Sequence, residues 1–283
     1  MKFVVTGALG QLGRVSIQEL ESRGIEAIAS DIPEVPVDDA PVLRAFLEEQ
    51  RPTHVLHCGA LTNVDGCEEN AELAHRINGQ GTANVAMACR DLGARLVYVS
   101  TDFVFDGESD RPYGPDDPPG PVSVYGASKL AGERAVLEAA QPGFYVTRTS
   151  WVFGPGGQNF PRAILNRANS GEPLRVVDDQ IGCPSMTRDL AVAMVDLALS
   201  EADAGIYHMT NDGSCSWHEF ACEILAAAGI QADVSRMSSS ELDRPARRPA
   251  NSVLDCSRMA EVRGQLLPSY KDALKRYLEE ELA

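Results

Sequence analysis

The chain has 283 residues, 44% of them hydrophobic and 23% charged, a globular mixture with enough apolar material for one large domain or two modest ones. Its formal charge of −16, with no broad Lys/Arg cluster, argues against a nucleic-acid surface, although a small anionic ligand needs only a local positive pocket. No apolar run reaches the ~18 residues of a membrane span, and the seven cysteines lack a C-x-x-C pair, which points away from a disulfide framework or structural zinc and towards the reduced thiols of a cytoplasmic protein.

Residues 2–6 read as a buried strand that runs directly into Thr6-Gly7-Ala8-Leu9-Gly10-Gln11-Leu12-Gly13, so the opening apolar run is too short for a signal peptide. Three glycines at spacing three allow a tight turn, close approach of the backbone to a pyrophosphate, and close helix–strand packing. The helix expected from there to about Ser22 offers free N–H groups to the anion. The spacing is G-x-x-G-x-x-G rather than the G-x-G-x-x-G of the usual dinucleotide fingerprint, but strand, loop and helix come in the required order. Gly7, Gly10, Gln11, Leu12 and Gly13 are therefore candidate dinucleotide contacts.

A second strand, Glu26–Ser30, ends at Asp31, placed about 20 residues past the loop to bind the adenosine ribose hydroxyls. Asp38 or Asp39 starts a helix to about Gln50, and Asp38 is a further candidate cofactor contact. The third strand, His54–His57, is followed by Cys58-Gly59-Ala60, where small residues let a cofactor pass; Gly59 and Ala60 join the candidate set. Residues 70–92 read as one long helix carrying Asn78, interrupted in pattern by Gly79 and Gly81. Arg95–Ser100 is the fourth strand.

Strands alternating with helices over short loops imply parallel crossovers and an α/β, Rossmann-like doubly wound sheet, whose ligands lie beyond the carboxyl ends of the strands. Ser100-Thr101-Asp102-Phe103 falls at that edge. A Pro/Gly/Asp-rich loop (107–121) leads to Tyr125-Gly126-Ala127-Ser128-Lys129. Tyr125 and Lys129, four apart, share a helix face. An ammonium near a phenol lowers its pKa from roughly 10 towards the operating pH, as general acid catalysis needs. A strand-end hydroxyl, a Tyr-x-x-x-Lys pair and a glycine loop together form one site for protonating a carbonyl oxygen.

Phe144–Ser150 is a fifth strand, continuing into Trp151. Beyond residue 155 the alternation loosens: helices are expected near 159–170, 187–200, 216–229 and 268–282, with strands at 174–177 and 205–209. Residues 1–154 read as a dinucleotide-binding domain and 155–283 as a smaller mixed α/β substrate lobe, interwoven with it. A basic, proline-rich stretch, Arg244-Pro245-Ala246-Arg247-Arg248-Pro249, stands out in an acidic chain as an anion site.

The glycine loop, Ser-Thr-Asp-x-Val-Phe, Tyr-Gly-x-x-Lys-x-x-Gly-Glu and Arg-Thr-Ser-Trp-Val, in this order, resemble the extended short-chain dehydrogenase/reductases. The later marks Asn159-Phe160, Asp178-Asp179-Gln180-x-Gly182-x-Pro184, Ser216-Trp217-His218-Glu219-Phe220 and Arg248-Pro249-x-Asn251-Ser252 are similar to the branch that reduces dTDP-4-dehydrorhamnose. The resemblance spans essentially the whole chain. It implies NADPH or NADH as hydride donor and a dTDP-4-keto-6-deoxy sugar as substrate, with Tyr125 protonating the C4 oxygen, Thr101 bonding the same oxygen and Lys129 holding the nicotinamide ribose. It places Asp102, Phe103, Trp151, Asn159 and Asn251 at the substrate and Arg248 at its diphosphate. Phe103 stands where the branch commonly has tyrosine, and where a dehydratase would carry an acid. Val15 occupies the first of the acidic positions with which some relatives hold magnesium between subunits, so no metal is expected, and a homodimer stays open. Two other readings stay open on the same resemblance: a reductase for a different dTDP-4-keto-deoxysugar, and a non-enzymatic partner like the regulatory subunit of methionine adenosyltransferase.

Overall fold

The computed structural model describes residues 1–281. Six parallel strands form the central sheet: β1 (Lys2–Thr6), β2 (Glu26–Ser30), β3 (His54–His57), β4 (Arg95–Thr101), β5 (Phe144–Thr149) and β6 (Gly205–His208), in the spatial order β6-β5-β4-β3-β1-β2. The sheet is Rossmann-like, and its order reverses between β1 and β3, the point where such sheets bind ligands.

The strands are buried on both faces, and their period of two divides the core. Phe3, Val5, Leu56, Val97 and Tyr145 pack with Leu20, Leu190, Met194 and Leu197 on one side of the sheet. Val4, Val55, Leu96, Tyr98 and Val146 pack with Leu43, Leu47, Val85 and Val136 on the other. The helices Gln11–Ser22 and Thr187–Leu199 thus cover one face, and Ala40–Gln50, Thr82–Leu92 and Val124–Glu138 the other. A separate cluster centred on Phe153, Leu165, Phe220, Leu274 and Tyr277 forms the core of a second lobe. Strand β6 and the helix Thr187–Leu199 come from the second half of the chain and complete the first core.

Several boundaries differ from the sequence pattern. Residues 70–92 do not form one regular helix. Ala71–Ala74 passes through the π-helical turns His75–Gly81 before regular winding resumes at Thr82–Leu92. The wider turns fall where the glycines let the segment be crossed closely: a Cβ on Gly79 would stand 3.2 Å from Ala131, and one on Gly81 2.7 Å from Val37. Asp39, not Asp38, caps Ala40–Gln50, accepting from Val42 N. The terminal helix is Tyr270–Glu281, with residue 282 of the expected span outside the described residues. A short helix, Val64–Glu69, lies in a stretch the pattern leaves unassigned.

Candidate active site

The glycine loop folds against the turn that follows β3. Gly7 has φ +66°, and a Cβ there would stand 2.5 Å from Gly59 N, so only glycine fits. Gly13 is equally constrained: its Cβ would lie 2.1 Å from Gly7 O. Gly7 and Gly13 thus serve the turn and the helix packing, and Gly59 and Ala60 stand beside Gly7 at the switch point of the sheet. Gly10 is exposed and precedes a helix that has neither a side-chain cap nor an acidic residue in its first turn. Most other long helices are capped by side chains, Asp39, Ser123, Asn159 and Ser216 among them. The amides of Gln11–Gly13, without a partner outside the helix among the described residues and at its positive end, therefore suit the diphosphate of a dinucleotide.

Asp31 lies at the end of β2 beside this loop, its carboxylate accepting from Leu9 N at 2.6 Å and Ile32 N at 2.8 Å. Asp38 is further along, ion-paired with Arg76 at 3.0 Å.

The end of β4 meets the start of the helix Val124–Glu138, which Ser123 caps through Gly126 N. The approach is close enough that a Cβ on Gly126 would lie 2.1 Å from Phe103 O. The Thr101 hydroxyl donates to Asp102 Oδ1 at 3.0 Å and accepts from Phe103 N at 3.2 Å, beside the Tyr125 phenol. Phe103 packs edge-on against Tyr125, ring centroids 5.7 Å apart. Asp102 is buried, with Oδ2 lacking a hydrogen-bond partner among the described residues, and burial pushes its carboxyl up to about 6.

Lys129 is buried one turn below Tyr125. Its Nζ donates to Val99 O at 2.7 Å and sits 4.4 Å from the centroid of the Tyr98 ring, while Tyr98 Oη donates to Lys129 O at 3.2 Å. Burial lowers the ammonium to about 7, against the pull of Glu133. The spacing argument expects the ammonium to lower the tyrosine's pKa. In the structure the Tyr125 phenol is instead raised above its ordinary value, because burial outweighs the Thr101 hydrogen bond.

Beneath these groups lies a fully buried ion pair that the sequence did not single out. Glu133, on the Tyr125 helix, accepts from Arg148 Nε at 2.9 Å, Arg148 Nη2 at 2.7 Å and Ser100 Oγ at 2.6 Å. It locks β4, β5 and the helix together; such a pair specifies geometry more than it adds stability. Asn78 makes a second tie, donating to Ser128 Oγ at 2.9 Å and exchanging hydrogen bonds with the backbone of Leu61. The pattern showed Asn78 but not its partner, because Ser128 reaches it only across two packed helices.

The second-half residues surround the same edge less directly. Trp151 follows β5 and stacks on Trp217. The Asn159 side chain is engaged by its own lobe: it caps the helix Phe160–Ser170 and donates to Gly154 O at 2.7 Å. Asn251 Nδ2 donates to Ser109 O at 2.8 Å, pinning the loop after β4. Arg248 is no free cation; it is paired with Asp65 at 2.9 Å. Thr101, Phe103, Tyr125 and Lys129 are thus brought together where the end of β4 meets the helix Val124–Glu138, while Asn159 and Asn251 hold neighbouring backbone.

The whole chain, residues 1–283, matches the family model described as RmlD substrate binding domain. A dTDP-4-dehydrorhamnose reductase of Streptomyces griseus is 42% identical over 91% of this chain and 86% of its own. A dTDP-4-keto-6-deoxy-D-glucose reductase of Streptomyces niveus is 36% identical over 89% of this chain and 88% of its own. Among solved structures, the dTDP-4-dehydrorhamnose reductase of Bacillus anthracis in complex with NADP superposes with a TM-score of 0.94 at 36% identity, covering 99% of this chain and 100% of that one.

Proposed function

The chain belongs to the RmlD substrate binding domain family, and from that premise we propose that it reduces the C4 ketone of dTDP-4-dehydrorhamnose to dTDP-L-rhamnose with NADPH or NADH. The observation that carries the reading is the meeting of the end of β4 with the helix of Tyr125 and Lys129: Phe103 packs edge-on against the Tyr125 ring at 5.7 Å and Lys129 Nζ donates to Val99 O at 2.7 Å, in a fold whose glycine-loop helix is left uncapped.

When bound, the nicotinamide supplies the hydride to C4. Tyr125 gives its proton to the C4 oxygen; its raised pKa keeps the proton in place until that oxygen becomes the stronger base. Thr101 steadies the same oxygen. For that its one hydroxyl hydrogen, which goes to Asp102 Oδ1 in this structure, turns to the substrate oxygen. Lys129 spends one donor on Val99 O and keeps others for the nicotinamide ribose, and its charge favours the phenolate left behind. Gln11, Leu12 and Gly13 offer amides to the dinucleotide diphosphate, Gly59 and Ala60 let the backbone approach it, and Asp31, with Asp38 further out, serves the adenosine end. Trp151 and Phe103 border the sugar, with Asp102, Asn159 and Asn251 shaping the walls, and Arg248 takes the sugar-nucleotide diphosphate. In this reading residues 1–154 carry the dinucleotide and 155–283 the sugar nucleotide, with β6 lent back to the first lobe.

The test is incubation with dTDP-glucose, its dehydratase and epimerase, and NAD(P)H, with the product identified by NMR. dTDP-L-rhamnose is the expected product. A second reading, reduction of an unepimerised 4-keto sugar, is favoured by the Streptomyces niveus relative and predicts turnover with the epimerase left out.

A further inference from the structure

The helix Val64–Glu69 follows the turn after β3 and is capped by Asn63 through Gly66 N. It sends two carboxylates to two parts of the site. Glu68 Oε1 accepts from Val124 N at 2.8 Å, the first residue of the helix that carries Tyr125 and Lys129. Asp65 takes the basic stretch from the second lobe. Its Oδ1 accepts from Ala246 N at 3.2 Å, its Oδ2 accepts from Arg248 Nη2 at 2.9 Å, and Arg244 approaches at 3.3 Å. Burial alone would raise the Asp65 carboxyl, yet the bonds from Arg248 and Ala246 N hold it below its usual value, so it is charged at neutral pH. The Arg248 side chain is 17% exposed, and its Nη1 donates to Ala246 O at 2.9 Å.

Arg248 is therefore fixed at both terminal nitrogens, by Ala246 O and by Asp65. A guanidinium has five N–H donors; with two committed to the chain, three remain for an anion, in a plane that cannot rotate freely. A fork set in advance loses less freedom when it binds a diphosphate than a mobile one does. The same short helix references that fork to the Tyr125 helix through Glu68.

We propose that Asp65 is a positioning residue for the sugar-nucleotide diphosphate: its carboxylate sets the Arg248 guanidinium in the orientation that binds it. The proposal rests on the reading of Arg248 as the diphosphate residue. A carboxylate that competed with substrate for Arg248 would act in the opposite direction, and one that only held the segment in place would act independently of Arg248.

The test is calorimetric titration of dTDP into the wild type, Asp65→Asn, Arg248→Ala and the double variant. Each single change is expected to weaken dTDP roughly tenfold, the scale of one hydrogen bond to a charged group. The double variant should bind no more weakly than Arg248→Ala, because Asp65 acts through the arginine. In turnover, Asp65→Asn should raise KM for the sugar nucleotide far more than it lowers kcat. Unchanged NAD(P)H affinity checks the fold of each variant. Asp65→Glu, which displaces the charge without removing it, replaces the Asn variant should that one not fold, with the same loss expected. Asp65→Asn binding dTDP as well as or better than the wild type, beside a weakened Arg248→Ala, overturns the proposal. So do losses that add in the double variant. Arg248→Ala binding dTDP normally overturns the diphosphate reading, and the positioning role with it.

Discussion

Trp151 and Trp217, the only two tryptophans of the chain, lie face to face with ring centroids 3.4 Å apart and planes 6° from parallel. Trp151 holds φ +46°, left-handed backbone that a bulky residue rarely adopts. Its indole rests on Gly182, where a Cβ would come within 2.4 Å. The stack, the flat bed at Gly182 and the tilted ring of Phe160 against Trp217 compensate that backbone cost.

Because the two indoles are the chain's only ones, their coupling is readable without labels. A Trp–Trp exciton couplet is expected in the far-ultraviolet circular dichroism and is expected to vanish in both Trp151→Phe and Trp217→Phe. Trp217→Phe should also raise KM for the sugar nucleotide while leaving NAD(P)H affinity alone, since Trp217 supports Trp151, which the proposed function places at the sugar. A couplet that survives either substitution would disprove the stack as the source.

Tyr125→Phe removes the proton donor but keeps the ring that packs on Phe103. Reduction should fall by about 10²–10⁴-fold, the usual contribution of a general acid, with cofactor binding nearly unchanged. Turnover within a factor of about three of the wild type would show that another group delivers the proton.

Asp102 provides a stability test whose sign follows from its burial. Its carboxyl is raised from 3.8 to about 6 in the folded chain. Between those values the folded state keeps a proton that the unfolded state has released, so the wild type loses stability as pH rises through this window and does not regain it above. Asp102→Asn, which does not titrate, should match the wild type below pH 3.8 and become more stable than it above about 6, by about 1–3 kcal/mol for a shift of roughly two units. Denaturant melts at acid and neutral pH measure the difference; a gap independent of pH would assign it to packing rather than charge.

Asp31 is the residue proposed here to set the choice of dinucleotide. Its carboxylate is held on Leu9 N and Ile32 N, and in that reading it meets the adenosine ribose and would repel a 2′-phosphate. NADH is therefore expected to be accepted, and Asp31→Asn should raise kcat/KM with NADPH relative to NADH by about tenfold, the cost of one close like-charge contact of about 1.4 kcal/mol. Arg14, whose Nε donates to Leu9 O, is at hand to offset part of the repulsion. Steady-state kinetics with both cofactors decide it, and a wild type that strictly requires NADPH contradicts the role given to Asp31.

Much of this site could be read from neighbours along the chain. The turn at Gly7, the alternation Phe3-Val4-Val5 that feeds the two faces of the sheet, and the one-turn spacing of Tyr125 and Lys129 are local properties, fixed by backbone sterics and by periods of two and 3.6 residues. Glu133 was visible as a motif residue but not as a buried partner of Arg148, since a charge carries no mark of its burial. The helix Val64–Glu69 is too short to show a period at all, so neither Asp65 nor Glu68 stood out.

The sequence by itself thus determined the doubly wound sheet, the glycine loop and the candidates for the reacting groups, because each depends on residues within a few positions of one another. Only the tertiary structure decided how those groups are tuned and held. Burial sets the acidity of Tyr125, Lys129 and Asp102, and desolvation depends on the elements that close over a residue rather than on its neighbours in sequence. Arg248 finds its carboxylate 183 positions away, and β6 reaches the sheet from the second half of the chain. Such pairings form when packing brings distant segments together, so no local pattern announces them.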